Sequence, residues 1–542
     1  MTAEIWDVIV VGAGLSGLSA AHWLKKRDAS MKILILEGKD RVGGRTVTAK
    51  LPAASGVDCW DLGGQWVGST QTHVLKLIKE LGLEVYPQFN MGRKVHHMGG
   101  PTSKVRTYKT SIPVLSPVVL MDFTQILWKI DRLCATVCVQ DPSKTPNAEE
   151  LDSMTLHTYI EKHAWTAELK EEIGLCSRSV FGIEPSQMSF LFFLMYATAA
   201  GGLLKLLEST PGCAQEFKIK GGTQQLSECL ADRVGWKNVR LGCAVTAIWQ
   251  DAEWARVMTA TDTFLCRAVI VTCPPHLAAK INYQPALPSQ REFLTQNMPV
   301  GHMIKFIITY KTAFWREKGF SGEIVAGSST ECPFCVTFDA TSPFGNAALV
   351  GFIAGQQASH WESKEVGERK NAVLSSLVKY LGPEAASFIH YEEKDWAKED
   401  YSGGCPVNVM APGLLTYYHP SLRKPFGRIH WAGTETATQW CGYMDGAVQA
   451  GQRAALEVLA EVSHMTLTTE EQEELQRIQN VKSASKQRPS SKLVYLPTSK
   501  SVVVATLTIG AVLLLAQHQN TVLKIKEYFT NAFSPIKHNL LL

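Results

Sequence analysis

The segment DVIVVGAGLSGLSAAHWL (Asp7–Leu24), near the start of the chain, contains the pattern from which the fold can be predicted. Its apolar, β-branched run Val8–Val11 predicts a buried strand, and the alanine-rich residues after Gly17 predict a helix. Between them the glycines follow the spacing G-x-G-x-x-G. A second apolar run, Ile33–Leu36, ends in Glu37, 20 residues after Gly17. The segment therefore predicts a strand, a glycine turn, a helix, a second strand and an acidic residue, in that order.

Each part of this pattern has a physical role in binding a dinucleotide. Gly12 permits a tight turn, Gly14 lets backbone N–H groups approach a pyrophosphate at the helix N-terminus, and Gly17 lets the helix and strand pack closely. Glu37 would accept hydrogen bonds from a ribose diol. We therefore predict a Rossmann-type unit, with an ordinary glycine loop as the alternative. The cofactor contacts predicted in this unit are Gly12, Ala13, Gly14, Ser16, Gly17 and Glu37.

Length and composition limit the class of protein. With 542 residues, 45% of them hydrophobic, the chain is long enough for about two or three domains. The net charge of +4 gives no electrostatic footprint for nucleic acid. The 13 cysteines are scattered and no secretory signal precedes the first strand, so the thiols are expected to be reduced and intracellular. No metal site is predicted, because the pairs Cys134/Cys138 and Cys332/Cys335 have no second ligand pair at zinc spacing.

Segments at both ends of the chain favour FAD over NAD as the cofactor. RVGGRT (Arg41–Thr46) adds glycines and arginines suited to phosphate contact, and DLGGQWVG (Asp61–Gly68) adds a further glycine pair. Near the other end, IHWAGTETA (Ile429–Ala437) is an apolar strand that enters a Gly-Thr-Glu turn, and an amphipathic helical pattern follows it. A cofactor contacted by both ends is long. We expect FAD, with its adenosine at the N-terminal glycines and its flavin beside the C-terminal segment.

Together these segments resemble the flavin-containing amine oxidases and, among them, the monoamine oxidases. The resemblance runs from Asp7 to about Ala460, and its most specific stretches include AFWREK (Ala313–Lys318), YSGGC (Tyr401–Cys405) and GTETATQWCGYMDGAV (Gly433–Val448). It implies an α/β fold in which a Rossmann-type FAD-binding domain is interleaved with an α+β substrate domain. The cofactor contacts that it adds are Arg45, Gly64, Gln65, Trp66, Val245, Trp396, Cys405, Gly433, Thr434 and Met444.

The resemblance also implies that the domains are discontinuous. The FAD-binding domain is expected to comprise residues 1–85, 215–300 and 391–460, and the substrate domain residues 86–214 and 301–390. A helix and polar linker (461–500), a membrane anchor (501–517) and a tail (518–542) are expected to follow.

Cys405 follows two glycines in YSGGC. In monoamine oxidases the cysteine of the S-G-G-C motif forms a thioether to the 8α-methyl group of FAD, and the resemblance implies the same bond here. The glycines would let the backbone approach a planar ring without a side chain between them. A structural thiol in a turn is the alternative, and sequence spacing alone favours it.

Pro406 departs from the family pattern. Monoamine oxidases have an aromatic residue at this position, which forms a two-walled cage with the counterpart of Tyr443 in front of the flavin. Proline supplies neither a ring face nor an N–H group. We expect less efficient oxidation of the amine or acceptance of a bulkier substrate, and loss of the thioether is a further alternative.

Lys305 lies inside the alternating apolar run VGHMIKFIITY (Val300–Tyr310). A buried lysine is costly unless it has a partner or a lowered pKa, and a place on the solvent face of an edge strand is an equal alternative. In the family, the lysine at this position holds a water against flavin N5, which implies a role in hydride transfer and in the reaction with oxygen. The resemblance assigns catalysis to Lys305, Tyr443 and Cys405, and substrate binding to Gln225, Leu207, Val336, Phe352 and Tyr443.

The predicted reaction is oxidative deamination of a monoamine to an aldehyde, ammonia and hydrogen peroxide. A cavity with few carboxylates would suit an aryl-alkyl monoamine better than a polyamine. The rival functions are an oxidase acting on polyamines or L-amino acids, and a flavoprotein that binds amines with little or no turnover. Retention of Lys305, Cys405 and Tyr443 argues against the binding protein.

Two apolar runs are candidates for membrane spans. Phe190–Leu204 lies in the middle of a domain and contains two glycines, so it is expected to be a buried helix. Ser501–Gln517 follows a polar linker and is flanked by lysines, which predicts a single membrane helix, with an amphipathic surface helix as the alternative. The resemblance implies a tail anchor in the mitochondrial outer membrane, a catalytic domain facing the cytosol, and a homodimer.

Overall fold

The computed structural model describes residues 4–100, 102–110, 113, 115–327, 329, 331–462 and 467–479. The strands within these ranges are β1 (Ile5–Val11), β2 (Ile33–Leu36), β3 (Thr48–Ala53), β4 (Gly56–Asp61), β5 (Trp66–Val67), β6 (Val85–Pro87), β7 (Arg93–His97), β8 (Arg106–Tyr108), β9 (Phe217–Ile219), β10 (Val239–Arg240), β11 (Ala247–Gln250), β12 (Ala255–Met258), β13 (Thr263–Val271), β14 (Asn282–Gln284), β15 (Met303–Tyr310), β16 (Phe320–Ala326), β17 (Val336–Asp339), β18 (Ala348–Ala354), β19 (Phe388–Asp395) and β20 (Ile429–Trp431). The α-helices are α1 (Leu15–Arg27), α2 (Thr72–Glu80), α3 (Pro117–Cys134), α4 (Ala148–Asp152), α5 (Leu156–His163), α6 (Ala167–Phe181), α7 (Phe190–Ala199), α8 (Leu203–Leu207), α9 (Gln224–Val234), α10 (Pro275–Ala278), α11 (Ser289–Gln296), α12 (Phe314–Glu317), α13 (Gln356–Glu362), α14 (Val366–Leu381), α15 (Leu414–Tyr418), α16 (Met444–Val462) and α17 (Thr469–Gln479).

The first sheet is built around β1, the strand that the opening segment predicts. β1 pairs in parallel with β2 and β13, so that Val10 lies opposite Ile35 on one side and Ile270 on the other. The strand order is β10-β2-β1-β13-β12-β11-β14, and β20 also pairs with β13. Val8 and Ile9 have no exposed surface, which is typical of a parallel strand covered on both faces. The predicted strand, turn, helix and second strand are therefore present.

Glycines bring the two ends of the chain together beside this sheet. A Cβ atom on Gly17 of α1 would lie 2.1 Å from the carbonyl oxygen of Gly12, and one on Gly451 of α16 would lie 2.3 Å from that of Ser16. Neither position has room for a side chain. The backbone N–H of Gly433 also donates to the hydroxyl of Ser16 at 2.9 Å. Consequently the C-terminal segment lies against the start of α1, where the glycine turn opens.

The second sheet has the order β19-β15-β18-β17-β16-β7-β8. β15 is an interior strand, antiparallel to both of its neighbours, and all of its residues are buried. The alternative that placed Lys305 on an edge strand is therefore wrong. The sequence analysis placed a domain boundary at residue 391, but β19 crosses that position and its Asp395 pairs with Ile304 of β15. The second sheet thus continues to residue 395, since the pairing of β19 with β15 runs past the boundary that the resemblance implied.

A group of helices packs near one face of the second sheet and includes the charge-free run that was expected to be internal. Every residue of α7 except Thr198 is buried, and Phe190 stacks on Tyr159 of α5 with ring centroids 3.7 Å apart. Leu175 of α6 packs with Val336 of the sheet. The prediction of a buried helix is confirmed for Phe190–Ala199, whereas the rest of the run leaves this helix and Leu204 is exposed.

In the part of the chain that the structure describes, no helix is both long and apolar enough to cross a membrane. The predicted anchor at 501–517 and the tail at 518–542 lie outside the described residues.

Candidate active site

One continuous cavity of about 870 Å³ joins the first sheet to the second. Its lining begins at Glu37 beside the glycine turn, passes Lys305 and Cys405, and reaches Lys94 and Tyr108 at the edge of the second sheet. Ligand-binding cavities typically have volumes of about 300–1,000 Å³, so this one has the size expected for a cofactor and a substrate. Most of the predicted site residues line it: Gly12, Gly14, Ser16, Glu37, Arg45, Gly64, Gln65, Trp66, Leu207, Val245, Lys305, Val336, Phe352, Trp396, Cys405, Gly433, Thr434, Tyr443 and Met444.

The end of the cavity beside the glycine turn has the features expected of a nucleotide site. Glu37 is buried, and its carboxylate accepts hydrogen bonds from the backbone N–H groups of Ala13 at 2.6 Å and Lys39 at 3.0 Å. Ala13 and Gly17 lie behind the cavity wall, so Ala13 holds the acid in place and Gly17 permits close packing. A Cβ atom on Gly14 would meet no protein atom within 4 Å and would project into open space.

Two observations test whether the lining can hold a flavin dinucleotide. The open space over Gly14 leaves the N-terminus of α1 free to receive a phosphate. Gln65 is also 5% exposed, lines the cavity, and has a buried side-chain nitrogen without a hydrogen-bond partner among the described residues. A buried donor is costly to leave unpaired, so a partner from a bound group is expected there. The residues present are therefore compatible with FAD.

The arginines of RVGGRT have protein partners that the sequence did not reveal. Arg45 forms two hydrogen bonds with the buried carboxylate of Glu435, at 2.6 and 3.1 Å, and donates to the carbonyl oxygen of Pro406 at 2.8 Å. Arg41 donates to Glu399 at 2.6 Å and does not line the cavity. Because one guanidinium contacts both Glu435 and the carbonyl of Pro406, Arg45 holds the N-terminal segment against the C-terminal segment and fixes the backbone at Pro406.

Lys305 is the most perturbed base in the cavity wall. Its ammonium group donates to the carbonyl oxygen of Gly63 at 2.8 Å and to the side-chain oxygen of Gln65 at 2.6 Å. Burial lowers the pKa of Lys305 to about 7, although the nearby carboxylate of Asp61 opposes the shift. A large fraction of Lys305 is therefore neutral near physiological pH and can accept or release a proton.

Cys405 lines the cavity, and the turn before it packs closely against the backbone of residues 300–301. A Cβ atom on Gly404 would lie 2.5 Å from the carbonyl oxygen of Gly301, and both Gly403 and Gly404 have positive φ angles. Gly404 is thus required by the packing of this turn against residues 300–301, whereas the Cβ position of Gly403 faces the ring of His276 at 3.1 Å. The sequence analysis attributed both glycines to the approach of a planar ring. Burial raises the pKa of the Cys405 thiol to about 12, against the opposing charges of Arg45 and Lys305.

The aromatic wall at this end of the cavity is made by Tyr443 and by a residue that the sequence analysis missed. Tyr196 of α7 lines the cavity with its ring centroid 6.0 Å from that of Tyr443, and Trp440 contacts Tyr443 from another side at 5.0 Å. Burial raises the pKa values of both tyrosines, so both remain neutral. Pro406 also lines the cavity. Tyr196 could not be singled out by sequence because it is one of many aromatic residues in a uniformly apolar run.

Between this aromatic wall and the edge of the second sheet, the cavity wall is apolar. Trp66 contacts Phe338 and Phe352 with ring centroids 5.1 and 5.9 Å apart, and Val336 lies opposite Phe352 in the sheet. Leu207, at the end of α8, lines the cavity and is 37% exposed, which places it near the solvent. These residues can surround the hydrocarbon part of a small ligand.

The position predicted for a polar substrate contact requires a correction. Gln225 lies outside the cavity lining, on α9, where its amide donates to the backbone carbonyls of Lys220 at 3.0 Å and Gly222 at 2.8 Å. Gln215 lines the cavity instead, and its side-chain oxygen is buried without a partner among the described residues. The resemblance implied Gln225, whereas Gln215, ten residues earlier in the chain, is the one that lines the cavity.

The expectation of few carboxylates in the cavity is also corrected. Glu172, Glu208 and Glu323 line it together with Lys94 and Tyr108. They belong to different elements far apart in sequence, so no local pattern could reveal the cluster.

Comparison with known proteins gives a consistent set of relatives. The family model for "Flavin containing amine oxidoreductase" matches residues 15–459. The chain is 40% identical over 470 residues to an amine oxidase [flavin-containing] of Oncorhynchus mykiss, which covers 86% of this chain and 88% of the relative. It is also 40% identical over 459 residues to amine oxidase [flavin-containing] A of Bos taurus, covering 84% of this chain and 85% of the relative.

Solved structures show the same similarity in three dimensions. Cyclohexylamine oxidase from Brevibacterium oxydans matches with a TM-score of 0.80 and 32% identity, over 85% of this chain and 100% of that chain. Putrescine oxidase bound to putrescine matches with a TM-score of 0.79 and 29% identity, again over 85% and 100%.

Proposed function

From the premise that this chain belongs to the family of flavin-containing amine oxidoreductases, we propose how its cavity carries out the reaction. The protein is an FAD-dependent amine oxidase with a mixed α/β fold. The observation that carries the proposal is the buried Lys305, held by Gly63 and Gln65 in the wall of a cavity that also contains Cys405 and Tyr443.

When bound, FAD would supply a two-electron acceptor for the amine and would pass the electrons to dioxygen, which gives hydrogen peroxide. Gly14 and Glu37 would hold its adenosine and pyrophosphate part, and Gln65 with the segment at Gly433 and Thr434 would hold the remainder. The carbon–nitrogen double bond formed from the amine is hydrolysed to an aldehyde and ammonia.

The amine binds in its neutral form against Tyr443, Tyr196 and Phe352. Burial of an unpaired ammonium in this apolar part would cost several kcal/mol, so deprotonation accompanies entry. Lys305 takes part as a proton carrier, because its pKa of about 7 lets it exist in both forms at neutral pH. The apolar contacts at Trp66, Phe338 and Phe352 exclude water from the reacting carbon.

We further propose that Cys405 holds the cofactor through a thioether. Its side chain belongs to the cavity wall, and the cations of Arg45 and Lys305 stabilise its thiolate relative to an isolated buried thiol. Pro406 leaves one side of the amine site without an aromatic ring, and Tyr196 supplies a second ring beside Tyr443 in a different direction. The substrate proposed for this end is an amine with an apolar, alkyl or aryl-alkyl body.

The residues beyond the catalytic part are proposed to anchor the enzyme. The apolar run at 501–517 follows a polar linker, and the anchor would hold the protein in the mitochondrial outer membrane with its cavity in the cytosol. A homodimer on the membrane is part of this proposal.

The reaction is tested by incubating the purified protein with phenethylamine in air. We expect oxygen uptake with equal amounts of hydrogen peroxide and ammonia, and loss of uptake when amine is omitted. Oxygen uptake without ammonia would contradict oxidative deamination.

A further inference from the structure

The end of the cavity beyond the apolar wall contains a cluster of charged residues, here called the distal cluster: Lys94, Glu172, Glu208 and Glu323. Lys94 forms an ion pair with Glu323 at 2.9 Å, and its ammonium also lies 5.9 Å from the ring centroid of Tyr108. Glu172 is hydrogen-bonded to His96. Glu208 has neither a hydrogen bond nor an ion pair from its carboxylate within the described ranges of the chain.

The strand spacing of the second sheet gives the distance between this cluster and Lys305. Lys305 lies opposite Phe352, Phe352 opposite Val336, and Val336 opposite Val325 across four successive strands. All four side chains line the cavity, so it follows this face of the sheet. Neighbouring strands lie about 4.8 Å apart, so the strand of Glu323 lies about 14 Å from that of Lys305 and the strand of Lys94 about 19 Å from it.

Helix α6 gives an independent measure along the opposite wall. At its C-terminal end, a Cβ atom on Gly182 would lie 3.0 Å from the carbonyl oxygen of Cys405, which fixes that end beside the Cys405 turn. Glu172 precedes Gly182 by ten residues, which corresponds to about 15 Å along a helix. The helix and the sheet therefore agree on a separation of about 14–19 Å between the two ends of the cavity.

The charge balance of the distal cluster favours a cation. It contains three carboxylates and one lysine, and that lysine is already paired with Glu323. Burial raises the pKa values of Glu208 and Glu323 although the nearby ammonium of Lys94 opposes both shifts, so one lysine does not make up for the solvation that the two carboxylates lose. A positively charged group beside Glu208 would compensate this loss, and an anion would meet an excess of like charge.

Resting on the proposed function, we propose that the distal cluster binds a second cationic group of the substrate. The preferred substrate is thus an amine whose reacting nitrogen is joined to a distal ammonium by a long apolar spacer. Glu208 is the principal partner of the distal ammonium, because its carboxylate is unpaired. A chain advances about 1.2 Å per bond when extended, so a spacer of about twelve methylene groups spans the separation of about 14–19 Å that the strand spacing and the helix rise give.

The test compares two amines of equal length, 1,12-diaminododecane and dodecylamine, on the full-length enzyme at pH 8. At this pH an alkylammonium outside a protein is protonated, since its pKa is close to that of lysine. We expect kcat/KM for the diamine to exceed that for the monoamine about ten-fold, with most of the difference in KM. Rapid anaerobic reduction of the flavin by each amine is recorded beside the steady-state values.

Two substitutions at Glu208 test whether its charge causes the preference for the diamine. E208Q keeps the shape of the side chain and is expected to lower the diamine-to-monoamine ratio of kcat/KM about ten-fold. E208K reverses the charge and is expected to favour 12-aminododecanoate, which carries a distal carboxylate, over the diamine. E84Q is the matched control, because Glu84 is an exposed glutamate paired with Lys220 outside the cavity, and its ratio should equal that of the unaltered enzyme.

The outcomes separate the two levels of the proposal. Equal kcat/KM for diamine and monoamine, or an unchanged ratio in E208Q, would overturn the distal site while leaving amine oxidation intact. Failure of both amines to reduce the flavin, together with failure of phenethylamine, would overturn the proposed function and the distal site with it.

Discussion

At the scale of single residues, Lys305 shows how an ambiguous sequence signal is decided by the sheet around it. A lysine in an alternating apolar run is compatible with an exposed edge or with a buried active site. β15 lies between β19 and β18 and all of its residues are buried, so neither an edge nor a solvent face is available, and the ammonium is held by Gly63 and Gln65. The order of strands is a long-range property, so the local sequence could not supply it.

The first prediction concerns the pH dependence of stability at Lys305. Its pKa is about 7 in the folded protein and about 10.4 in an unfolded chain, so the unfolded state binds more protons between these values. Stability then rises with pH in this window, and the Lys305 contribution increases by about 2 kcal/mol from pH 7 to pH 9. K305M lacks this group and does not gain this stability. The unfolding free energy of K305M minus that of the unaltered protein should therefore fall by that amount between pH 7 and pH 9, as measured by denaturant titration.

The comparison is made at each pH with the same flavin content. A difference that stays constant from pH 7 to pH 9 would show that Lys305 has an ordinary pKa in the folded protein.

The second prediction concerns the covalent attachment at Cys405. C405S should release its flavin on acid denaturation, whereas the unaltered protein should keep flavin absorbance on the polypeptide. C176S is the matched control, because Cys176 lines the same cavity on a different wall. Flavin release from the unaltered protein would contradict the thioether and would leave Cys405 as a structural thiol.

The third prediction concerns the proline that follows this cysteine. P406Y restores a ring face to the amine site, and we expect kcat/KM for phenethylamine to rise about ten-fold. The backbone contact from Arg45 to residue 406 uses a carbonyl oxygen and survives the change. P406A supplies no ring and should behave like the unaltered enzyme, so an equal gain in P406A would refute the role of the ring.

At the scale of elements, the glycine turn and α1 perform two separable tasks. Gly17 lets the helix approach the strand, while Gly14 leaves space over the helix N-terminus. The close packing at Gly17 could be predicted because it depends on a few neighbouring residues with fixed spacing, and the pyrophosphate contact at Gly14 stays a prediction. Gln225 shows the limit, since the choice between it and Gln215 depends on how a longer loop enters the cavity.

The fourth prediction separates these two tasks. A Cβ atom in G17A would lie 2.1 Å from the backbone oxygen of Gly12, so G17A should lose about 1–3 kcal/mol of stability. The backbone of Gly14 has a φ angle of −73°, which alanine adopts readily, and G14A should unfold like the parent while retaining far less flavin after purification. Thermal unfolding and flavin-to-protein ratio are measured for both, and full flavin content in G14A would contradict the assigned site.

At the scale of the whole molecule, the cavity depends on segments that are distant in sequence. Arg45 contacts Glu435, Ser16 accepts from Gly433, and the distal cluster combines Glu172 of α6 with Glu323 of β16. The presence of two ends at one cofactor could be predicted from motifs at both termini. The acidic end of the cavity could not, because its residues carry no motif and meet only after both sheets have formed.

The fifth prediction concerns membrane attachment and also belongs to this scale. The full-length protein should remain with mitochondrial membranes after extraction at high pH, and a chain ending at residue 500 should be released while keeping its flavin. Release of the full-length protein would argue against an anchor at 501–517.

The most direct measurement of the central claim is anaerobic titration of the purified protein with phenethylamine while the absorbance of the oxidised flavin is recorded. We expect the oxidised band to be lost and to return, with release of hydrogen peroxide, when oxygen is admitted. A flavin that remains fully oxidised in excess of this amine and of 1,12-diaminododecane would contradict it, and the protein would then be an amine-binding flavoprotein without turnover.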